Sequence, residues 1–171
     1  GPLPTPSLKA ITASWQKIQE LGPFTNNVWP YITNEIKETK QLLARHCGVT
    51  SDHIALTENV TSGCILPILG LPFTTGDRLL ISDCEHPGVV SACKELAKHK
   101  QLNIDILPVQ QLLNGRDEQE ATKQSLLNIL ELALQPNTRL VVLSHLLWNT
   151  GQIMPISSVA QRLSSHPNHP F

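Results

Sequence analysis

Excess charge of either sign is missing from this chain, in which 13 lysines and arginines stand against 14 aspartates and glutamates, a formal net charge of −1. Without a basic surplus there is no electrostatic footprint for nucleic acid or for an anionic membrane, and neither is expected as a partner. Long hydrophobic runs are missing too: none approaches the roughly 18 residues of a membrane span. The opening Gly1-Pro2-Leu3-Pro4 has neither the charged nor the apolar region of a signal peptide, so the expectation is a cytoplasmic protein. The four cysteines, Cys47, Cys64, Cys84 and Cys93, form no C-x-x-C pair and no metal spacing, and each sits in an apolar stretch. They read as small buried hydrophobes. The seven histidines supply no H-x-x-x-H pair on an expected helix, and no metal site is expected. There is no initiator methionine, and His166 to Phe171 reads as a loop leading onward, so the chain is expected to be part of a longer one.

What is present is 171 residues, 40% hydrophobic and 16% charged. That is enough for a domain with a real core, burying about 70% of the surface its unfolded form exposes. Apolar residues Leu8, Ile11, Trp15 and Ile18 at helical spacing predict a helix over Pro6 to Glu20, closed by Leu21-Gly22-Pro23. A second, amphipathic helix follows from Asn26-Asn27 to about His46. His53 to Leu56 reads as a strand, and Ser62 to Leu69 as an almost uncharged helix buried on most sides. Arg78 to Ser82 is a short, continuously apolar strand. Helix is expected over Pro87 to Lys100, strand over Leu102 to Val109, helix from Asp117 to Leu134, strand over Thr138 to His145, and helix over Pro155 to Ser164. The fold class is therefore α/β: N-terminal helices followed by an alternating βα, mostly parallel sheet.

In open sheets of this kind ligands bind at the carboxyl ends of the strands. Three polar clusters fall there: Thr57-Glu58-Asn59, Ser82-Asp83-Cys84-Glu85-His86, and Ser144-His145 running on to Trp148-Asn149-Thr150-Gly151-Gln152. The turn Leu56 to Gly63 leads directly into a helix and leaves backbone N–H groups without intrahelical partners. Those groups suit a side-chain cap from Thr57, Asn59 or Thr61 and equally a phosphate. His86, ahead of Pro87 at the first helical position, reads as a cap or as a ring available for stacking. Trp148, Asn149 and Gly151 offer an aromatic plane, an amide and close backbone approach. A phosphate cup, an aromatic ring and amides at three strand ends suit a flat phosphorylated cofactor.

The three runs Ile54-Ala55-Leu56-Thr57-Glu58-Asn59-Val60-Thr61-Ser62-Gly63, Gly76-Asp77-Arg78-Leu79-Leu80-Ile81-Ser82-Asp83-Cys84-Glu85-His86-Pro87-Gly88, and Ser144-His145-Leu146-Leu147-Trp148-Asn149-Thr150-Gly151-Gln152-Ile153-Met154-Pro155 resemble, in order and spacing, the class V aminotransferase family. These are pyridoxal-phosphate (PLP) enzymes of fold type I. The resemblance covers nearly the whole chain and is nearest to the family's C–S lyases and cysteine desulfurases. It implies two regions, an N-terminal extended segment with helices over 1–50 and an incomplete PLP-binding large domain over 51–171. It implies PLP-dependent C–S bond cleavage of cysteine or cystine, with a small sulfur amino acid as partner and a homodimeric parent protein. A desulfurase, an epimerase-like enzyme and a non-catalytic partner of a full-length subunit are the alternatives.

Carried over by position, the resemblance gives the cofactor phosphate to Thr57 and the backbone at Glu58 and Asn59. It gives ring stacking to His86, and a polar contact with the cofactor's phenolic oxygen or the substrate carboxylate to Asn149. Counting back from Gly151 without a gap puts Trp148 where desulfurases carry their asparagine, so that contact falls at Trp148 or Asn149. Gln152 stands behind them. The family's Schiff-base lysine and the aspartate for the pyridine nitrogen are expected beyond Phe171. The eight lysines, Lys9, Lys17, Lys37, Lys40, Lys94, Lys98, Lys100 and Lys123, fall in exposed helical or helix-end contexts, none at a strand end.

Overall fold

The computed structural model describes residues 2–114 and 119–171. The chain forms two compact units, Gly1–Thr57 and Glu58–Phe171. In the first, helix α1 spans Thr5–Leu21 and helix α2 spans Val28–Cys47. Proline in its first turn starts α1 where no intrahelical donor is needed. Gly48, with φ of 69°, closes α2 by donating its N–H to the Ala44 carbonyl, and Arg45 and His46 complement the negative end of the helix. The Tyr31 hydroxyl lies 3.0 Å from the Ser14 Oγ, joining α2 to α1. Burial is slight: no residue of α1 is buried, and in α2 only Val28 and Ala44 are.

The strand expected over His53 to Leu56 is absent. Ser51–His53 closes instead into a 3-10 turn, in which Thr50 accepts from the His53 N–H, and the chain then runs through Ile54 to Thr57 without regular structure. Three apolar residues in a row satisfy a strand pattern, but a strand exists only when a neighbour takes up its backbone groups.

The second unit is built on a parallel sheet of β1 (Arg78–Ser82), β2 (Asn103–Leu107) and β3 (Thr138–Val142), in the order β2-β1-β3. Helices α3 (Val60–Leu69), α4 (Pro87–Lys100), α5 (Gln119–Ala133) and α6 (Ile156–Ser164) complete it. Of the helix expected from Asp117, the residues Asp117 and Glu118 lie outside the described residues. Central β1 is buried on both faces, and its alternation sorts the core. Leu79 and Ile81 join Ile68 of α3 and Val89, Cys93, Leu96 and Ala97 of α4, while Leu80 joins Leu126 and Leu130 of α5 and Val159 and Leu163 of α6. On the outer edge of β3 the Val141 N–H donates to the Phe171 carbonyl, and the Phe171 N–H donates to the Arg139 carbonyl.

At the amino end of the sheet, Arg78 and Asp105 meet through two hydrogen bonds of 2.5 Å across β1 and β2, and the carboxylate holds the guanidinium above its ordinary pKa. Helix α3 is less covered than its composition predicts. Only Ile68 is buried, whereas Val60, Leu66 and Leu69 are exposed. An uncharged helix carries no polar stripe to say which side faces the core, and here one side alone packs. Among the described residues, no helix is long and apolar enough to cross a membrane.

Candidate functional site

The carboxyl ends of β1 and β3 lie side by side, and each continues into a segment that carries polar side chains. Beyond Ser82, the β1 segment makes a tight turn through Asp83, Cys84 and Glu85 before α4 begins at Pro87. His86 is the cap of α4: its Nδ1 accepts the Gly88 N–H at 3.2 Å. Proline at the first helical position and the imidazole at the cap therefore fix each other's place. Asp83 is tied to the segment that follows β2, accepting the Gln110 N–H at 2.9 Å through Oδ1.

The β3 segment becomes a hairpin from His145 to Met154. The Met154 N–H donates to His145, the Leu147 N–H to Gln152 and the Gly151 N–H to Leu147. Gly151 takes φ of 74°, which its lack of a side chain permits. Leu147 and Met154 are fully buried, anchoring the hairpin in the core, and this leaves Trp148 at the tip, 58% exposed. There its ring meets that of His86 edge-on, with centroids 5.5 Å apart and planes at 70°. Behind the ring pair the Cys84 thiol is buried, within the influence of Asp83 and of the Asn149 amide. Burial pushes that thiol's pKa up, the Asp83 carboxylate adds to the rise, and the Asn149 amide opposes it. Cys84 is thus held protonated and is no nucleophile at neutral pH.

Between the two segments lies a carboxylate to which no motif assigns a role. Glu85 is 8% exposed. Its Oε1 accepts the Ser144 N–H at 2.6 Å and the Ser82 hydroxyl at 3.1 Å, and its Oε2 accepts the Ser144 hydroxyl at 2.6 Å. Ser82 Oγ in turn accepts the Cys84 N–H at 3.1 Å. A glutamate inside Ser-Asp-Cys-Glu-His reads as one more polar strand-end residue, and nothing in its spacing marks it as buried.

Helix α3 starts at Val60 behind Asn59, whose backbone is extended and whose Oδ1 accepts the Ser62 N–H at 2.9 Å. The capping reading of this turn is therefore realised, and the first N–H groups of the helix, on Val60 and Thr61, lie ahead of its internal ladder. Helices α3 and α4 come together at their starts: a Cβ built on Gly88 would stand 2.7 Å from Thr61 Oγ1 and 3.3 Å from His86 Nδ1. Thr61, one of the three expected caps, leaves that place to Asn59 and lies against Gly88, for which no site role is expected. Glu58 is exposed at the head of this unit, and Thr57 is the last residue of the other. Gln152 is half-buried and serves the hairpin through its backbone carbonyl. All eight lysines lie on helices: six are exposed, as expected, whereas Lys40 and Lys123 are half-buried. Among the described residues no group of three or more His, Cys, Asp or Glu side chains is placed to hold a metal ion.

The model of the class V aminotransferases matches residues 25–168. The chain belongs to that family. Class V aminotransferases use PLP. The chain is 37% identical to the cystine C-S lyase C-DES in complex with its reaction product cysteine persulfide, with a TM-score of 0.85 over 98% of this chain and 42% of that one. It is 38% identical to a lysine-to-alanine mutant of C-DES with glycine covalently linked to the PLP cofactor, with a TM-score of 0.83 over 96% and 40% of the two chains. Isopenicillin N epimerase of Amycolatopsis lactamdurans is 25% identical over 165 residues, which are 94% of this chain and 39% of that protein. The chain thus spans about two fifths of the length of the relatives it matches. Its α/β architecture, helices around a small parallel sheet, is that of the fold type I PLP enzymes.

The residues at the starts of α3 and α4 and on the His145–Met154 hairpin fit this cofactor. The start of α3 offers N–H donors of the kind that bind a phosphate, and the His86–Trp148 pair offers ring surface for a flat heterocycle.

Proposed function

We propose that this class V chain forms the cofactor-holding part of a PLP-dependent enzyme that cleaves the C–S bond of cysteine or cystine. The observation that carries the reading is the ring pair of His86 and Trp148 at the start of α4, where Thr61 brings in the start of α3, in a chain 37–38% identical to C-DES. PLP, when bound, supplies an electron sink for the charge left at the Cα of an amino acid. The backbone at Glu58 and Asn59 and the first turn of α3 bind the phosphate, as does Thr57 by the role its position implies. The His86 ring orients the heterocycle. The hairpin meets the cofactor through Trp148 or Asn149, and the Trp148 ring already stands against His86. Gln152 supports that hairpin. The Schiff-base lysine belongs to a part of the enzyme outside these residues, a reading supported by the helical placement of all eight lysines. A cytoplasmic, homodimeric parent enzyme acting on a small sulfur amino acid completes the proposal.

The 25% identity to an epimerase favours one second reading, inversion at Cα in place of loss of a β-sulfur. Release of persulfide from cystine by the whole enzyme, against racemisation without sulfur release, separates the two.

For the chain itself the test is equilibrium binding of pyridoxamine 5′-phosphate, which has no aldehyde to trap surface lysines. Saturable binding that inorganic phosphate competes away, and that His86→Ala and Asn59→Ala each weaken, is the expected result. Binding that is absent, or indifferent to both substitutions, refutes the reading.

A further inference from the structure

We propose that Glu85 is a positioning residue, a buried carboxylate that clamps the two strand-end segments together and so sets the His86–Trp148 ring pair; this rests on the reading that the pair faces the cofactor. The carboxylate sits one residue before His86, and its three acceptor contacts run to both segments. Ser82 belongs to its own segment, whereas the Ser144 N–H and hydroxyl belong to the segment that leads into the Trp148 hairpin. A carboxylate with two oxygens and about four lone-pair sites can collect donors from two segments at once, which the shorter hydroxyl of a serine at this place cannot. The Ser144 hydroxyl contact at 2.6 Å has the length of a charge-assisted bond, and at 8% exposure water competes poorly with both Ser144 donors. No hydrogen bond of the β1–β3 ladder extends this far, because their register ends at Ile81 and Val142. Beyond the sheet, packing of Leu147 and Met154 against Cys84 seats the hairpin, and Glu85 supplies the hydrogen bonds that set His86 and Trp148 relative to each other.

The test reads the ring pair in the free chain by NMR, from the His86 ring protons, which Trp148 shifts through its ring current. Trp148→Ala fixes where those signals fall when the pair is lost. Asp105→Asn weakens the ion pair at the opposite end of the strands and serves as a destabilised control. Glu85→Ala is expected to move the His86 signals toward their Trp148→Ala positions and to weaken pyridoxamine 5′-phosphate binding about tenfold, the scale on which supporting residues act. Glu85→Gln, whose amide oxygen still accepts from Ser144, is expected to restore both, and Asp105→Asn to lower the melting temperature while moving neither. Should Glu85→Ala fail to fold, Ser144→Ala, which removes one donor and keeps the backbone N–H, is expected to move the signals the same way by a smaller amount. His86 signals that stay in place in the folded variant, or that move equally in Asp105→Asn, overturn the proposal. A wild-type chain that does not bind pyridoxamine 5′-phosphate refutes the cofactor reading alone, since the NMR signals still decide the clamp.

Discussion

Gly88 shows what a single position contributes. Its backbone is not in the left-handed region, so its glycine is explained by space: an added Cβ would stand 2.7 Å from Thr61 Oγ1, and the β-branched threonine has little freedom to turn away. Gly88→Ala is accordingly expected to destabilise the chain by about 1–3 kcal/mol through overpacking. Thr61→Ala in the same chain should recover part of that loss, with a coupling of about 0.5 kcal/mol or more in a double-mutant cycle followed by urea unfolding. Strict additivity would mean the two helix starts do not press on each other. This contact was not legible in the sequence, because it joins two segments that only the fold brings together. His86 was legible as a cap, since the proline behind it fixes the helix start. Glu85 was not, because a residue's type and neighbours do not say whether a carboxylate at a turn points to water or into the protein.

Among the elements, β1 and α4 could be read directly from sequence, whereas α3 and the segment before it could not. A continuously apolar strand such as Arg78 to Ser82 fits only the middle of a parallel sheet, and that is where it lies. The uncharged run of α3 is equally compatible with one buried face or several, and the strand expected before it needed a pairing edge that local sequence cannot supply. The hairpin from His145 to Met154 has no strand pattern of its own, because only Leu147 and Met154 of its apolar residues turn inward. Exposure of Leu66 at 61% and Leu69 at 56% leads to a definite expectation for α3. Leu66→Lys and Leu69→Lys should each change stability by no more than about 0.5 kcal/mol. Ile68→Ala, which empties a core position, should cost about 2–5 kcal/mol. Chemical denaturation of the three variants distinguishes this one-sided packing from a helix covered all round.

Over the whole molecule, burial is concentrated in the second unit. Both core clusters lie there, on the two faces of the sheet, and Leu79, Leu80 and Ile81 of β1 are shielded from water almost completely. Helix α1 contributes no buried residue, and Leu8, Ile11 and Trp15 on it are exposed. A helix of 17 residues with no fully buried side chain is marginal in water. Stability should therefore be graded along the chain, and native-state hydrogen exchange measures the gradient. The amides of β1 are expected to exchange only with global unfolding, and those of α1 to exchange through local fraying with little protection. The homodimeric reading adds a condition to this expectation. If a second copy covers Leu8, Ile11 and Trp15, protection of α1 must rise with protein concentration while that of β1 follows the global stability. Protection of α1 that is high at every concentration would instead mean that α1 is held within the single chain, which its exposed apolar residues argue against.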